Sequence, residues 1–275
     1  MLSIIISSYK TANFKALKEN IDKTCGIVYE IIKIDNPGLM GITEAYNLGA
    51  KKAKYNFFLF LHEDIIFHTD NWGEKLISHH HINNLGVIGI AGGTYIPSVP
   101  SGWFTNMNYA LINILQREYD TTLRNVKTFT QKAHKAIAID GVFISISKDN
   151  FYNYSFDEKL KGYHGYDTEL SLRVAKKHQN YVVSDILIEH FSPGNPDKLW
   201  FINNMYIRKK HRYNFNVKND EKTEMLLYKA FTKTFFTHYK KSFTNYFTVL
   251  QFLPISRVKL VNCLKLIKFT LYSND

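Results

Sequence analysis

Apolar runs alternate with polar segments of helical spacing through the first part of the chain. "LSIIIS" (2–7), "YEIIKIDN" (29–36) and "NFFLFLHED" (56–64) are continuous apolar runs. Between them, Phe14, Leu17 and Ile21 recur at three and four residues, as do Ala45, Leu48, Ala53 and their neighbours. Strand, helix, strand, helix, strand predicts a parallel sheet with helices on its faces. Runs without alternation fit strands buried on both sides. "GVIGIAGG" (86–93) predicts a further buried strand, "AIAIDGVFISIS" (136–147) another, and "NYVVSDILIEHF" (180–191) a last one. "YDTELSLRVAKKH" (166–178) has a helical pattern, and 94–130 reads as a long, irregular, aromatic segment.

The character changes after about residue 195. "KTEMLLYKAFTKTFFTHYKK" (222–241) sets Leu226, Tyr228, Phe231, Phe235 and Tyr239 near one side and its lysines mostly elsewhere. A second stretch, 245–272, is rich in Phe, Leu and Lys and broken by Pro254. Both predict amphipathic helices. The expected organisation is an α/β domain over 1–215, with a mostly parallel central sheet flanked by helices, and a basic, aromatic helical extension over 216–275.

Composition adds three constraints. Hydrophobic residues form 45% of the 275, enough for a sizeable core. Lys and Arg number 35 against 24 Asp and Glu, a formal charge of +11 that favours anionic partners. No zinc module, helix-turn-helix or RNP-type strand is visible, so nucleic acid is not expected. Cys25 and Cys263 make no metal spacing, and a disulfide framework is not expected. "MLSIIISSYK" lacks the charged start and long apolar core of a signal peptide, and no run is long enough to span a bilayer. The expected location is cytoplasmic.

In open parallel sheets, ligands bind beyond the carboxyl ends of the strands. Three strands here end in polar residues: Ser7-Ser8-Tyr9, Asp35-Asn36 and His62-Glu63-Asp64. A lone Asp at a strand end is a turn or a cap. Three polar ends in this order point to a site. A carboxylate there could hold Mg²⁺ or Mn²⁺, and a neutral His suits Mn²⁺ better.

"SIIISSYK", "EIIKIDN", "TEAYNLGAKKAKYNFFLFLHEDIIF", "DGVFISISKDNF", "FDEKLKGYHGYDTELSLRVAKKH" and "ILIEHFSPG" follow one another as in family 2-like glycosyltransferases of the GT-A fold. The chain resembles their bacterial glycosyltransferase-like branch over roughly 2–215. The resemblance implies a nucleotide-sugar donor, a divalent metal (Mn²⁺ or Mg²⁺) and sugar transfer. It sets the acidic DxD signature on His62-Glu63-Asp64, with His in place of the first Asp. Asp64 takes the metal position and His62 the one that contacts the nucleotide or a water on the metal. Asp35 matches the position that reads the nucleobase, and Ser7 and Tyr9 match the loop lining the base pocket. His190 matches a His that can complete the metal shell, and Asp140 a residue near donor sugar or acceptor.

A second acidic motif holds Asp167 and Glu169 at a helix start, where carboxylates also favour the helix dipole. Inverting transfer needs a carboxylate near the acceptor hydroxyl. The family's base is the Asp of an "ED" pair, here Tyr166-Asp167, so Asp167 is the expected base and Glu169 the runner-up. Arg173, one turn on, fits an ion pair with Glu169. Gly141 fits a tight turn. Trp103 fits either stacking on an acceptor sugar or anchoring its loop. The histidines at 79–81 fit a solvated helix face.

Three functions compete. The first is an inverting transferase acting on a glycan or lipid-linked acceptor in surface-polysaccharide synthesis. The second is a non-catalytic donor-binding or scaffold protein of the same fold with a degenerate metal motif, and the third a nucleic-acid binder. The extension could lie on an anionic membrane, pack on its own domain or meet another subunit.

Overall fold

The computed structural model describes residues 1–117, 122–192 and 197–272; Pro193 and Gly194 of the last motif lie outside them. The chain begins β1 (Leu2–Ser8), α1 (Thr11–Thr24), β2 (Tyr29–Asp35), α2 (Ile42–Lys52), β3 (Phe57–Leu61), β4 (Ile65–Phe67), α3 (Trp72–His79), β5 (Leu85–Gly89) and β6 (Ala91–Gly93). It continues through β7 (Ala110–Arg117), β8 (Leu123–Lys127), β9 (Ala133–Ala136), β10 (Ala138–Ile139), β11 (Phe143–Ser147), α4 (Lys148–Tyr154), α5 (Tyr166–Val174), β12 (Gln179–Val183) and β13 (Ile188–His190). Four helices end it: α6 (Lys198–Lys210), α7 (Glu221–His238), α8 (Phe243–Leu250) and α9 (Leu260–Tyr272).

The central sheet has the order β2-β1-β3-β11-β5-β12-β9. β2, β1, β3, β5 and β12 run one way, and β11 and β9 the other. The apolar runs are buried on both faces: Ile4, Ile5 and Ile6 are fully covered, as are Phe58 to Leu61. Helix α2 packs so closely on β1 that a Cβ at Gly49 would lie 2.4 Å from Ile5 Cγ2.

A second sheet, β10-β6-β7-β13-β4 with β8 on β7, changes several sequence expectations. The run 180–191 is two strands, β12 in the central sheet and β13 in the second. The runs 86–93 and 136–147 are likewise divided between the sheets. Each run crosses from one sheet to the other, with β5 on β11 in the first and β6 on β10 in the second. Both sheets bury the strands on either side, so each run reads as mostly apolar, with Asp140-Gly141 marking the break in 136–147. The third change lies in 94–130, which contains the antiparallel pair β7–β8. The histidines differ too. The α3 helix ends at His79, and two of the three rings turn inward. His79 bonds Asp185 (2.8 Å); His80 bonds Ser145 Oγ (2.8 Å) and packs on Phe57. Burial pushes His80 down to about 3. Only His81 is exposed.

The C-terminal helices share a core with the loop after β6 and with α6: Tyr228, Phe231, Phe235 and Leu266 meet Val99 and Phe201. A buried Glu224 pins α7 there, accepting from Tyr95 Oη (2.7 Å), Ser98 Oγ (2.8 Å) and Arg257 Nη1 (2.7 Å). Both cysteines are free and buried. Among the described residues no helix is long and apolar enough to cross a membrane.

Candidate active site

Strand register assembles the first half of the site. β13 lies between β4 and β7, pairing His190 with Ile65 on one side and with Gln116 on the other. His190 is thereby set beside Asp64, and Phe191 N–H donates to Asp64 O. His62 follows β3, its N–H donating to Val142 O. Asp64 Oδ1 then lies 3.9 Å from His62 Nδ1 and 3.7 Å from His190 Nε2. One ligand atom from each of the three residues lies within 4.8 Å of the others.

The hydrogen-bond network fixes which imidazole nitrogens face inward. Three carbonyls, of Arg117, His190 and Ser192, surround the two N–H of Gln116 Nε2, which sets its Oε1 as the atom 3.2 Å from His190 Nδ1. A carboxamide oxygen only accepts; His190 therefore carries its proton on Nδ1 and turns the Nε2 lone pair inward. That Nε2 is buried and has no hydrogen-bond partner. Tyr166 Oη donates to Gly141 O (3.0 Å) and lies 2.8 Å from His62 Nε2. In the assignment that leaves no group unpaired, His62 donates from Nε2 and its Nδ1 lone pair faces Asp64. Two imidazole lone pairs and a carboxylate fit a divalent cation, and the orphaned His190 Nε2 lacks only such a partner. Burial and the nearby His62 lower the His190 pKa, keeping the ring neutral as ligation requires.

Sequence reasoning gave His62 a contact with the nucleotide or with a water on the metal; the structure brings it within one cluster with Asp64 and His190. Gln116 was hidden in the segment read as irregular, and Tyr166 counted only as a departure from "ED". Glu63 faces away from the cluster, accepting from the Tyr9 and Lys10 N–H groups (3.2 and 2.9 Å) and so shaping the β1–α1 loop.

The second half of the site is the turn between β10 and β11, against the start of α5. Gly141 is needed there for close approach rather than for a turn conformation: a Cβ would lie 2.2 Å from Tyr166 Oη. Its N–H donates to Asp167 Oδ2 (3.0 Å), and Thr168 N–H donates to Asp167 Oδ1 (2.7 Å). Burial, then the Asp140 carboxylate, push Asp167 up to about 7. Asp140 accepts from Val142 N–H and from the Trp103 indole N–H (2.5 Å), so Trp103 anchors its loop as well as facing the pocket. Glu169 is different. It is fully buried and taken by Arg173, Lys210 and His211, and its pKa is lowered to about 2. It has no free oxygen to act as a base.

His62, His190, Asp140 and Asp167 line one open pocket of about 810 Å³. Aromatic side chains of Trp103, Phe104, Tyr163 and Trp200 form much of its wall. Ser7, Tyr9 and Asp35 do not line it. Tyr9 is 63% exposed, and Asp35 pairs with Lys33 at the surface. Asn36 links this edge to the pocket, donating to Ser7 Oγ (3.2 Å) and lying 3.5 Å from Tyr163 Oη. A larger cleft, about 1130 Å³, lies elsewhere, between the β9 strand and the start of α7, and holds none of these groups.

Comparison with solved structures finds a crystal structure of GalNAc-T7 with UDP, GalNAc and Mn²⁺ at a TM-score of 0.55 and 12% identity. All of this chain is covered, and it spans 57% of that longer one. At this identity the likeness shows the GT-A fold alone. The structure of A197 from STIV aligns with 70% of the chain and 85% of its own, at 14% identity and a TM-score of 0.42. No curated protein matches the sequence. Residues 3–225 match the family described as "Glycosyltransferase like family", and with most of its length inside that match the chain belongs to it.

Proposed function

We propose that this glycosyltransferase is inverting and metal-dependent, and that it moves a sugar from a nucleotide-diphosphate donor to a hydroxyl. UDP is the first candidate nucleotide. The acceptor is a glycan or a lipid-linked glycan in surface-polysaccharide synthesis, on the cytoplasmic side. One observation carries the reading: the two histidines of a His–Asp–His cluster line the same pocket as an aspartate pushed up to about 7.

Asp64, His62 and His190 would hold Mn²⁺ or Mg²⁺, which when bound supplies positive charge against the departing diphosphate. Asp167 accepts the proton of the acceptor hydroxyl as that oxygen attacks the anomeric carbon, and the configuration inverts. A base near pH 7 is half ionised at neutral pH and still accepts a proton well. The Gly141 and Thr168 N–H groups hold its oxygens. Asp140 and Trp103 border donor sugar and acceptor, where aromatic faces suit sugar rings. Ser7, Tyr9 and Asp35 hold the nucleoside, in line with the Asn36–Tyr163 link from that edge. The non-catalytic alternative draws on His62 standing where a carboxylate is usual. A lone pair facing Asp64 argues for a substituted ligand rather than a lost one.

Thermal stabilisation by UDP, GDP and dTDP, each with and without Mn²⁺ or Mg²⁺, tests the reading, because a ligand of the folded state must raise its stability. A metal-dependent shift with one nucleotide, lost in Asp64→Ala, is expected. No shift with any nucleotide would move the protein to the non-catalytic reading.

A further inference from the structure

The C-terminal helices bury one side and leave another uncovered. On α9, Cys263, Leu266 and Thr270 face the core. Leu260 (76% exposed), Leu264 (59%) and Leu271 (46%) lie on the other side, with Val261 beside them. On α8, Phe243 and Phe247, one turn apart, are also exposed. Scattered exposed apolar residues need no explanation, but a stripe repeated at helical spacing does.

The charge on this segment is mostly basic, with Glu221 at the start of α7 lying against the start of α9. Residues 225–274 contain no Asp or Glu, and they carry eight Lys and Arg. Arg257 is consumed inside the fold, against Glu224 and Ile96 O. Lys259, Lys265 and Lys268 are exposed and alternate with the leucines of the α9 stripe.

We infer that the outward face of α8 and α9 docks on an anionic phospholipid bilayer, lying in its interface. Leucines enter the acyl boundary while lysines reach the phosphates beside them. A second copy of the chain fits this face badly, since it would set lysines against lysines. A nucleic acid would engage the lysines and gain nothing from Leu260 and Leu264. The inference goes beyond the transferase reading and stands or falls without it.

The test is flotation of the full chain with vesicles of phosphatidylglycerol and phosphatidylethanolamine, against phosphatidylcholine alone. Binding to the anionic vesicles, at least about tenfold tighter than to the neutral ones, is expected. Each lysine near the surface strengthens binding about fivefold, so Lys259→Gln/Lys265→Gln/Lys268→Gln should weaken it about a hundredfold. Leu260→Ser/Leu264→Ser should weaken it at least about tenfold by loss of apolar burial. These side chains are exposed, so both variants should keep the wild-type melting temperature and nucleotide response. Three results would overturn the inference: no flotation with anionic vesicles at low salt, loss in the lysine variant with none in the leucine variant, or a dimer that the leucine variant dissolves in a protein indifferent to vesicles. The nucleotide response, measured separately, tells failure here from failure of the transferase assignment.

Discussion

Replacing Gln116 by Leu removes the acceptor that holds the proton on His190 Nδ1, at 3.2 Å, while touching no residue of the metal cluster's own ligand set. His190 is then free to rotate or to place its proton on Nε2, the nitrogen that faces Asp64. Outer-shell partners of this kind typically contribute 10- to 100-fold to metal affinity, about 1.4–2.8 kcal/mol. The fold should lose less. Gln116 Nε2 also serves three carbonyls, but they lie at the β7–β13 edge, and their loss should lower stability by about 1–2 kcal/mol. Titration of the protein with Mn²⁺, followed by the electron paramagnetic resonance of the free ion, separates the two effects when a thermal melt is run beside it. Gln116→Glu supplies the partial rescue: a carboxylate still accepts from Nδ1–H, so affinity should recover even though the carbonyl contacts do not. Wild-type Mn²⁺ affinity in a folded Gln116→Leu protein would refute the lone-pair argument. So would a Gln116→Glu protein no better than Gln116→Leu.

The remaining expectations concern the base, its turn and the buried ion network. Transfer should fall on the acid side of about pH 7 as Asp167 takes up a proton, and Asp167→Asn should abolish it; a flat kcat/KM profile from pH 5.5 to 8, as rough limits, would exclude Asp167 as the base. Because the folded-state pKa of Asp167 lies above its unfolded value, ionising it destabilises the fold. That cost is absent below about pH 4 and complete above about pH 7, so wild type should lose stability between those limits relative to Asp167→Asn, whose own deficit from the lost acceptor oxygen does not vary with pH, in paired thermal melts. Gly141→Ala should displace Tyr166, cost about 1–3 kcal/mol and weaken Mn²⁺ binding; unchanged binding would break the proposed link between Tyr166 and His62. Glu169→Gln leaves Arg173, Lys210 and His211 without their shared carboxylate and should destabilise by about 3–5 kcal/mol in urea unfolding at pH 7. The carboxylate's lowered pKa makes its stabilisation complete above about pH 4.5, and it fades as pH falls towards 2.

What could be seen in the sequence was what depends on near neighbours. Strands buried on both faces wrote themselves as unbroken apolar runs, and their polar ends stood out for that reason. What stayed hidden depends on pairing across the chain. Gln116 acquires its role only when β7 meets β13, a register no local pattern encodes. Asp140-Gly141 could be read as a turn, but not as a change of sheet, because the strands on both sides of it are buried. His79 and His80 read as solvated because their partners, Asp185 and Ser145, are distant in sequence. Asp167 was the expected base and Glu169 the runner-up; that Lys210 of α6 engages the Glu169 carboxylate has no local signal at the helix start.

Gly141 ties the two halves of the site through one peptide segment. Its carbonyl takes the Tyr166 hydroxyl that steadies His62, and its N–H steadies the Asp167 carboxylate. If the cluster binds a cation, its occupancy and the protonation of Asp167 are reciprocal variables: whatever one does to the other's equilibrium, the reverse holds by the same factor. Filling the cation site should expel a fraction of a proton near neutral pH, and raising the pH should tighten cation binding. On the proposed reading, more of the base would then be ionised when the donor's counter-ion is in place than in an empty pocket.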